Sequence, residues 1–177
     1  MDAIEAIMKR RSARSYRRDP IPMEKLRKVL EAARVAPSAE NRQPWYFVVV
    51  TDQEKIKSIS KTGRFASFIG GCPAVIVGCS DPKASPKWHV VDTAIAMENM
   101  VIAATAEGLG TCWVGSFDEG RVKELLKIPD RLRVIAMLAL GYPKRKTDLT
   151  GALLHVLRRR KRLSEIVGLN EYGRPLD

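Results

Sequence analysis

Apolar residues recur along this chain with helical spacing in some stretches and in continuous runs in others. Helical spacing places Ile4, Ile7 and Met8 on one stripe of a short N-terminal helix, and it defines an apolar face over residues 23–35. Runs rich in β-branched and aromatic residues predict three buried strands, at Trp45–Val50, Ala74–Ser80 and 134–141. The pattern therefore predicts a core to which both helices and strands contribute.

The longest predicted helix covers residues 89–107 and carries apolar residues nearly all round its surface. A helix of this kind is usually central and buried. Gly108 and Gly110 are suited to end it, and the segment "TCWVGS" that follows predicts a strand or an extended turn.

Two capping-box patterns, Thr51 with Glu54 and Ser116 with Glu119, predict the starts of two further helices. Short strands, a central helix and only partial alternation of helix and strand predict an α+β fold. The length of 177 residues fits a single domain over residues 1–177, and no stretch has the composition of a linker. The basic tail after Gly141 has too few apolar residues for a core of its own, so we expect it to lie across a partner subunit.

The net charge of the chain gives information about ligands that the apolar pattern does not. A hydrophobic content of 45% describes an ordinary soluble protein, but the net charge is +11. Such an excess suggests an acidic ligand, an anionic surface or a nucleic acid, and it does not choose among them.

Cysteine and histidine usage argues against a metal site. The three cysteines and two histidines show no CxxC pair and no other ligand spacing typical of zinc. Free, buried thiols suit a reducing compartment, so we expect a cytoplasmic protein. No apolar run reaches the roughly 20 residues that a membrane span needs.

The densest positive charge lies in "KRRSARSYRRD", where Arg10, Arg11, Ser12 and Arg14 stand close together. If the first helix continues, Arg10 and Arg14 share one of its faces. Guanidinium groups beside a hydroxyl suit a phosphate monoester. The alternative is a solvated basic helix end that is favourable to the helix dipole. A second cluster, residues 158–162, could bind nucleic acid, or it could converge on the same phosphate.

Two loops combine polar or flexible residues next to predicted strands. In "PSAENRQPW" the side chains of Ser38 and Asn41 could meet the edge of a heteroaromatic ring, or they could serve only as turn and capping groups. In "GLGTCWVGSFD" the glycines allow close approach of a flat ligand, or they simply stop a helix. The spacing does not match a dinucleotide-binding fingerprint.

Nucleophilic catalysis has no support in the sequence, because no GxSxG or triad signature is present. Glu98 stands out as a carboxylate within an apolar helix. It is either a paired structural carboxylate or a proton relay, and the first alternative is favoured. We name no catalytic residue.

Taken in order, these segments resemble the nitroreductase family of FMN-dependent oxidoreductases. The resemblance rests on "RRSARSY", "APSAENRQPWYFVVV", "DTAIAMENMVIAATAEGLGTCWVGSFD", "LALGYP" and "RKRLSEIV", and it runs from residue 1 to about residue 173. It implies a three-layer α/β/α arrangement with a mainly antiparallel sheet and a long buried central helix. It also implies a homodimer with two FMN sites at the subunit interface, and a C-terminal extension, about 142–177, that embraces the partner.

The resemblance also assigns roles to residues. Arg10, Arg11, Ser12 and Arg14 would hold the ribityl phosphate, and Arg160 and Arg162 would complete the grip, with Lys161 a further candidate. Pro37, Ser38 and Asn41 would reach the isoalloxazine edge from the other subunit. Gly115 would place its backbone N–H near the flavin N5, beside Ser116, and Arg64 would supply a polar contact to the ring.

The implied activity is transfer of a hydride from NAD(P)H, through the flavin N5, to a nitroaromatic, a quinone or a similar acceptor in ping-pong fashion. Two alternatives stay open at this point. The same fold could perform reductive dehalogenation or a step of cobalamin-ligand synthesis, or the chain could be a basic nucleic-acid-binding protein. The chain is also short for the family, since residues 80–89 form only a brief loop and no helical excursion follows Ser116. We therefore expect an open site.

Overall fold

A computed structural model describes residues 1–144 and 160–176, and the chain forms two compact units, Met1–Lys146 and Thr147–Asp177. The first unit contains five helices and four strands, which are α1 (Ala3–Lys9), α2 (Met23–Arg34), β1 (Trp45–Val50), α3 (Gln53–Ser60), β2 (Ala74–Ser80), α4 (His89–Ala106), β3 (Gly110–Val114), α5 (Glu119–Leu126) and β4 (Arg133–Gly141). Short 3-10 turns cover Ala39–Asn41 and Ser67–Gly71. In the second unit one such turn covers Leu163–Glu165.

The four strands form one sheet in the order β1-β2-β4-β3, and every neighbouring pair is antiparallel. The start of β1 pairs with the end of β2, and the start of β3 pairs with the end of β4. The loop that enters β1 and the turn that leaves β3 therefore lie toward the same end of the sheet but at its two opposite edges.

Helices cover both faces of the sheet, as a three-layer arrangement requires. One core contains Ile56 and Ile59 of α3 and Val122 of α5. The other contains Val29 of α2 and Met97 of α4. Strand β2 is buried along its whole length and sends alternate side chains into the two cores, which explains its continuous apolar sequence. The predicted α+β class is confirmed, and within the described residues the sheet is wholly antiparallel.

Two helices differ from their predicted burial. The apolar stripe of α1 is exposed, with Ile4 and Met8 at 71% and 79%, whereas Ala6 is the buried residue. On α4 one side packs into the core, but Val91 and Ile95 are exposed. Apolar periodicity indicates which face of a helix is suited to burial. It does not indicate whether that face packs against the same chain or against another one.

Both capping-box predictions are wrong by one or two residues. The side chain of Asp52 accepts hydrogen bonds from the N–H groups of Glu54 and Lys55, and the side chain of Asp118 accepts one from the N–H of Arg121. A carboxylate at the N-cap satisfies free N–H groups and also favours the positive end of the helix dipole, so each aspartate takes the position that the pattern gave to a hydroxyl residue.

All three cysteines are free and buried. Desolvation by burial raises the pKa of the Cys72 thiol and that of the Cys79 thiol to about 11. Thiols in this state are poor nucleophiles near neutral pH. Among the residues that the structure describes, no group of His, Cys, Asp and Glu is placed to hold a metal ion. The helices of the described part of the chain lack the length and hydropathy that a transmembrane helix needs.

Candidate functional site

The segment that follows α1 is extended and not helical. Helix α1 ends at Lys9, and Arg10 has φ −55° and ψ 129°, so Arg10 and Arg14 do not share a helix face as the sequence predicted. Ser12 forms a β-bridge with Thr111 at the start of β3, and the N–H of Ala13 donates to the carbonyl of Thr111 at 2.8 Å. Edge pairing with β3 thus replaces the helical turn and fixes this arm, residues 10–16, to the sheet.

The cations in the arm and directly beside it differ in their partners. Lys9 pairs with Glu5, and Arg17 pairs with Asp19 at 3.4 Å while its guanidinium lies 4.8 Å from the ring centre of Tyr142. Arg10 and Arg11 have no acidic partner within residues 1–144 and 160–176. Two neighbouring cations without a carboxylate leave a local positive potential that an anion can occupy.

At the far end of β3 the backbone lies open. Gly115 is exposed, and a Cβ built on it would meet no atom within 4 Å. Ser116, which follows, is in close contact with another turn, because a Cβ on Gly63 would lie 1.9 Å from the carbonyl oxygen of Ser116. The N–H of Asp118 also donates to the carbonyl of Thr62 at 2.7 Å. The structure therefore brings the turn that carries Arg64 into contact with the turn at Ser116, although Gly63 and Ser116 are 53 positions apart in the sequence.

The sequence did not single out Phe65. Its ring is 71% exposed, and the guanidinium carbon of Arg64 lies 5.9 Å from the ring centre. An exposed aromatic ring on a turn that packs against residues 115–118 is available to stack on a flat molecule. Phe65 stands between Arg64 and Ala66, outside any motif that would give a sequence signal of this role.

The loop that enters β1 contains three left-handed residues that are not glycine. These are Glu40, Asn41 and Gln43, with φ values of 52°, 55° and 46°. The hydroxyl of Ser38 accepts a hydrogen bond from the N–H of Gln43 at 2.9 Å, and the amide of Gln43 donates to Asn41. Strain of this kind is concentrated at functional sites, so the loop is a candidate for more than turn chemistry.

Asp92 ties this loop to the first turn of α4. Its carboxylate is buried, with 4% of the residue exposed, and Oδ1 accepts a hydrogen bond from the N–H of Ala39 at 3.2 Å. The hydroxyl of Ser85 donates to Oδ2 at 3.3 Å. The sequence did not single out Asp92, because one aspartate near the start of a helix is common.

Glu98 has a partner, in agreement with the favoured structural alternative. Its Oε2 accepts a hydrogen bond from the indole N–H of Trp113 at 3.1 Å. Trp113 lies two residues before Gly115, so this bond holds the end of β3 against the central helix.

The predicted residues thus form two groups in the first unit. The arm, Arg64, Gly115 and Ser116 lie along the β3 edge, whereas Pro37, Ser38 and Asn41 lie at the β1 edge. Three strand spacings separate the two edge strands, which is about 14 Å. In the second unit Arg160, Lys161 and Arg162 are all exposed, whereas Arg158 and Arg159 lie outside the described residues.

Comparison with known proteins gives a consistent result. The sequence model of the nitroreductase family matches residues 7–64 and 60–142. A protein of Archaeoglobus fulgidus, provisionally named an NADH dehydrogenase/NAD(P)H nitroreductase, is 41% identical over 155 residues, which cover 83% of this chain and 88% of the relative.

Two solved structures from Clostridium difficile have the same fold. A nitroreductase family protein of strain 630 has a TM-score of 0.83 at 32% identity, with 97% of this chain and 99% of that chain covered. An FMN-dependent nitroreductase of strain R20291 has a TM-score of 0.81 at 27% identity, with 96% and 99% covered. The order of the elements, the open turn after β3 and the agreement over most of the chain lead to one conclusion: this chain belongs to the nitroreductase family.

Proposed function

We propose that this chain is an FMN-dependent oxidoreductase that takes a hydride from NAD(P)H and reduces a nitroaromatic, a quinone or a similar flat acceptor. The observation that carries the proposal is the arrangement along β3. A cationic arm pairs with the start of this strand, and an open backbone position follows its end. Four residue steps separate Thr111 from Gly115, a distance of about 13 Å, which suits an elongated ligand with an anionic group at one end.

The donors present fit FMN. The guanidinium groups of Arg10 and Arg11, which have no carboxylate partner among the described residues, match the oxygens of a phosphate monoester together with the hydroxyl of Ser12. Free space beside Gly115 leaves room for a ring to lie against the backbone. The FMN-dependent nitroreductase of the same fold supports this choice of cofactor.

We assign the holding residues as follows. Arg10, Arg11, Ser12 and Arg14 bind the phosphate, and Arg160 and Arg162 complete its binding. Arg64, Gly115 and Ser116 line the pocket of the flavin ring. FMN, when bound, supplies the hydride chemistry at N5, so the chain needs to bind and orient and needs no acid–base side chain for that step.

The positions of the two groups support a homodimer. Pro37, Ser38 and Asn41 stand at the β1 edge, too far from Gly115 at the β3 edge for one chain to place both on a single ring. A second copy that presents its β1 edge completes each site. The exposed Val91 and Ile95 of α4 and the exposed stripe of α1 give such a pairing an apolar surface to bury.

The C-terminal segment fits an extension that embraces the partner subunit. Its described part, residues 160–176, exposes Leu163, Ile166 and Tyr172, the first two at 63% each. Side chains of this size favour burial, and a second copy of the chain is the cover that we propose. The rest of the proposed extension, residues 145–159, lies outside the described residues.

The absorption spectrum of the purified protein tests the function. We expect a yellow protein with flavin bands, which NADH or NADPH bleaches under anaerobic conditions and which a nitroaromatic or a quinone restores. A colourless protein that does not bind added FMN would refute the proposal. Bleaching followed by reoxidation only with a halogenated aromatic, or loss of the flavin during turnover, would assign the fold to a different flavin task.

Phe65 provides a test of the acceptor class. Replacing Phe65 with alanine removes the exposed ring beside the 115–118 turn, and we expect the KM for a nitroaromatic to rise about tenfold, the effect of one lost stacking contact. Phe65→Tyr keeps the ring and should behave like the native enzyme. Ferricyanide, which offers no flat face, serves as the control acceptor. Equal KM changes for ferricyanide and the nitroaromatic would rule out stacking.

A further inference from the structure

The carboxylate of Asp92 is buried in a way that a helix cap does not require. It lies in the first turn of α4 with only 4% of the residue exposed. Both oxygens are occupied, Oδ1 by the N–H of Ala39 and Oδ2 by the hydroxyl of Ser85, which is itself 2% exposed. Burial of a carboxylate is costly unless specific donors replace water, and one of these two donors belongs to the loop 38–43.

That loop needs external support. Three of its six residues hold a left-handed backbone without being glycine, which is unfavourable in an unsupported chain. The supports come from the segment 81–92. Besides the bond from Ala39 to Asp92, the guanidinium of Arg42 donates to the carbonyl of Ala84 at 3.3 Å. Of these bonds, the one to Asp92 is the one that reaches the rigid central helix.

We propose that Asp92 is a positioning residue, which holds the loop 38–43 in the conformation that meets the flavin ring. The inference rests on the proposed function, because it needs Ser38 and Asn41 to face a flavin. Asp92 acts through Ala39 and does not itself touch the cofactor. Because the loop lies at the β1 edge, each Asp92 serves the flavin whose phosphate the partner subunit holds.

The test compares the buried Asp92 with Asp52, the N-cap of α3, in the full-length protein. Asp92→Ala removes both acceptors, and we expect the Kd for FMN, measured by quenching of FMN fluorescence, to rise at least tenfold and the visible spectrum of the bound flavin to shift. Asp92→Asn keeps an acceptor oxygen for the N–H of Ala39 and should restore most of the affinity. Asp52→Ala is the matched control. It removes a carboxylate that accepts two backbone N–H groups at α3, so it should lower the Tm without changing the Kd.

The outcomes separate the two proposals. If the native protein does not bind FMN, the proposed function fails and this inference fails with it. If the native protein binds FMN and a folded Asp92→Ala variant keeps both the native Kd and the native spectrum, only the positioning role is refuted. An equal loss of affinity in Asp52→Ala would also refute it, because general destabilisation would then explain the effect. If Asp92→Ala does not fold, Ser85→Ala provides the second variant, with an expected threefold rise in Kd.

Discussion

Replacing Arg10 with alanine is expected to weaken FMN binding by about tenfold to a hundredfold. A hydrogen bond to a charged group contributes about 1.5–3 kcal/mol, which corresponds to this range of Kd. We expect the low end for Arg10→Ala, because the side chain lies near the surface and solvent screens its charge. The double variant with Arg14→Ala should leave the purified protein colourless. Fluorescence titration with FMN measures the change.

Salt dependence adds an independent measurement. If the arm binds a phosphate, the native Kd should rise with ionic strength, and the rise should be smaller in Arg10→Ala because one cation fewer takes part. Arg18→Ala is the matched control, since Arg18 is an exposed arginine near the arm with no assigned role at the site. Native flavin content in both Arg10→Ala and the double variant would refute the phosphate assignment.

The second large effect is expected at Gly63. A Cβ at this position would lie 1.9 Å from the carbonyl oxygen of Ser116, which belongs to the backbone and cannot rotate away. Gly63→Ala must therefore separate the two turns and break the 2.7 Å bond from the N–H of Asp118 to Thr62. Overpacking of this kind costs about 3 kcal/mol, so the Tm should fall by about 6–12 °C. The flavin should be lost as well, because the turn that carries Arg64 moves away from Ser116.

Gly71→Ala is the control for Gly63→Ala. A Cβ on Gly71 would meet no atom within 4 Å, so the same chemical change should leave both the Tm and the flavin content within error of the native values. Differential scanning calorimetry and the flavin absorbance of the purified variants provide the comparison. A Gly63→Ala protein with native Tm and native flavin content would show that the two turns do not form one site.

The four strands illustrate what the pattern of residues predicts well. Runs of β-branched and aromatic residues placed β1 and β2 with their observed bounds, because both runs are almost wholly apolar. The predicted burial is confirmed for β2, but β1 is an edge strand and only Val50 in it is fully buried. The helix ends were less accurate. Asp52 and Asp118 replace the predicted hydroxyl caps, since neighbouring polar residues compete for the same N–H groups and the difference in free energy is small.

The extended arm shows why the first helix does not continue through the cationic cluster. The sequence indicated a cationic cluster at Arg10, Arg11, Ser12 and Arg14, and it placed Arg10 and Arg14 on a helix. Helix propensity is a weak local preference. The pairing of Ser12 with Thr111, which lies 99 positions away, outweighs it and turns the segment into an edge extension of the sheet.

The sequence by itself determined the family, the α+β class and the identity of the candidate binding segments, because each depends on residue types and their local order. Only the tertiary structure decided which segments meet. It placed Gly63 against Ser116, set the loop 38–43 at the opposite edge of the sheet, and anchored that loop on Asp92. These relations depend on strand order and on single hydrogen bonds between distant residues. The local spacing of residues does not predict such bonds, because several different strand orders would be compatible with the same apolar pattern.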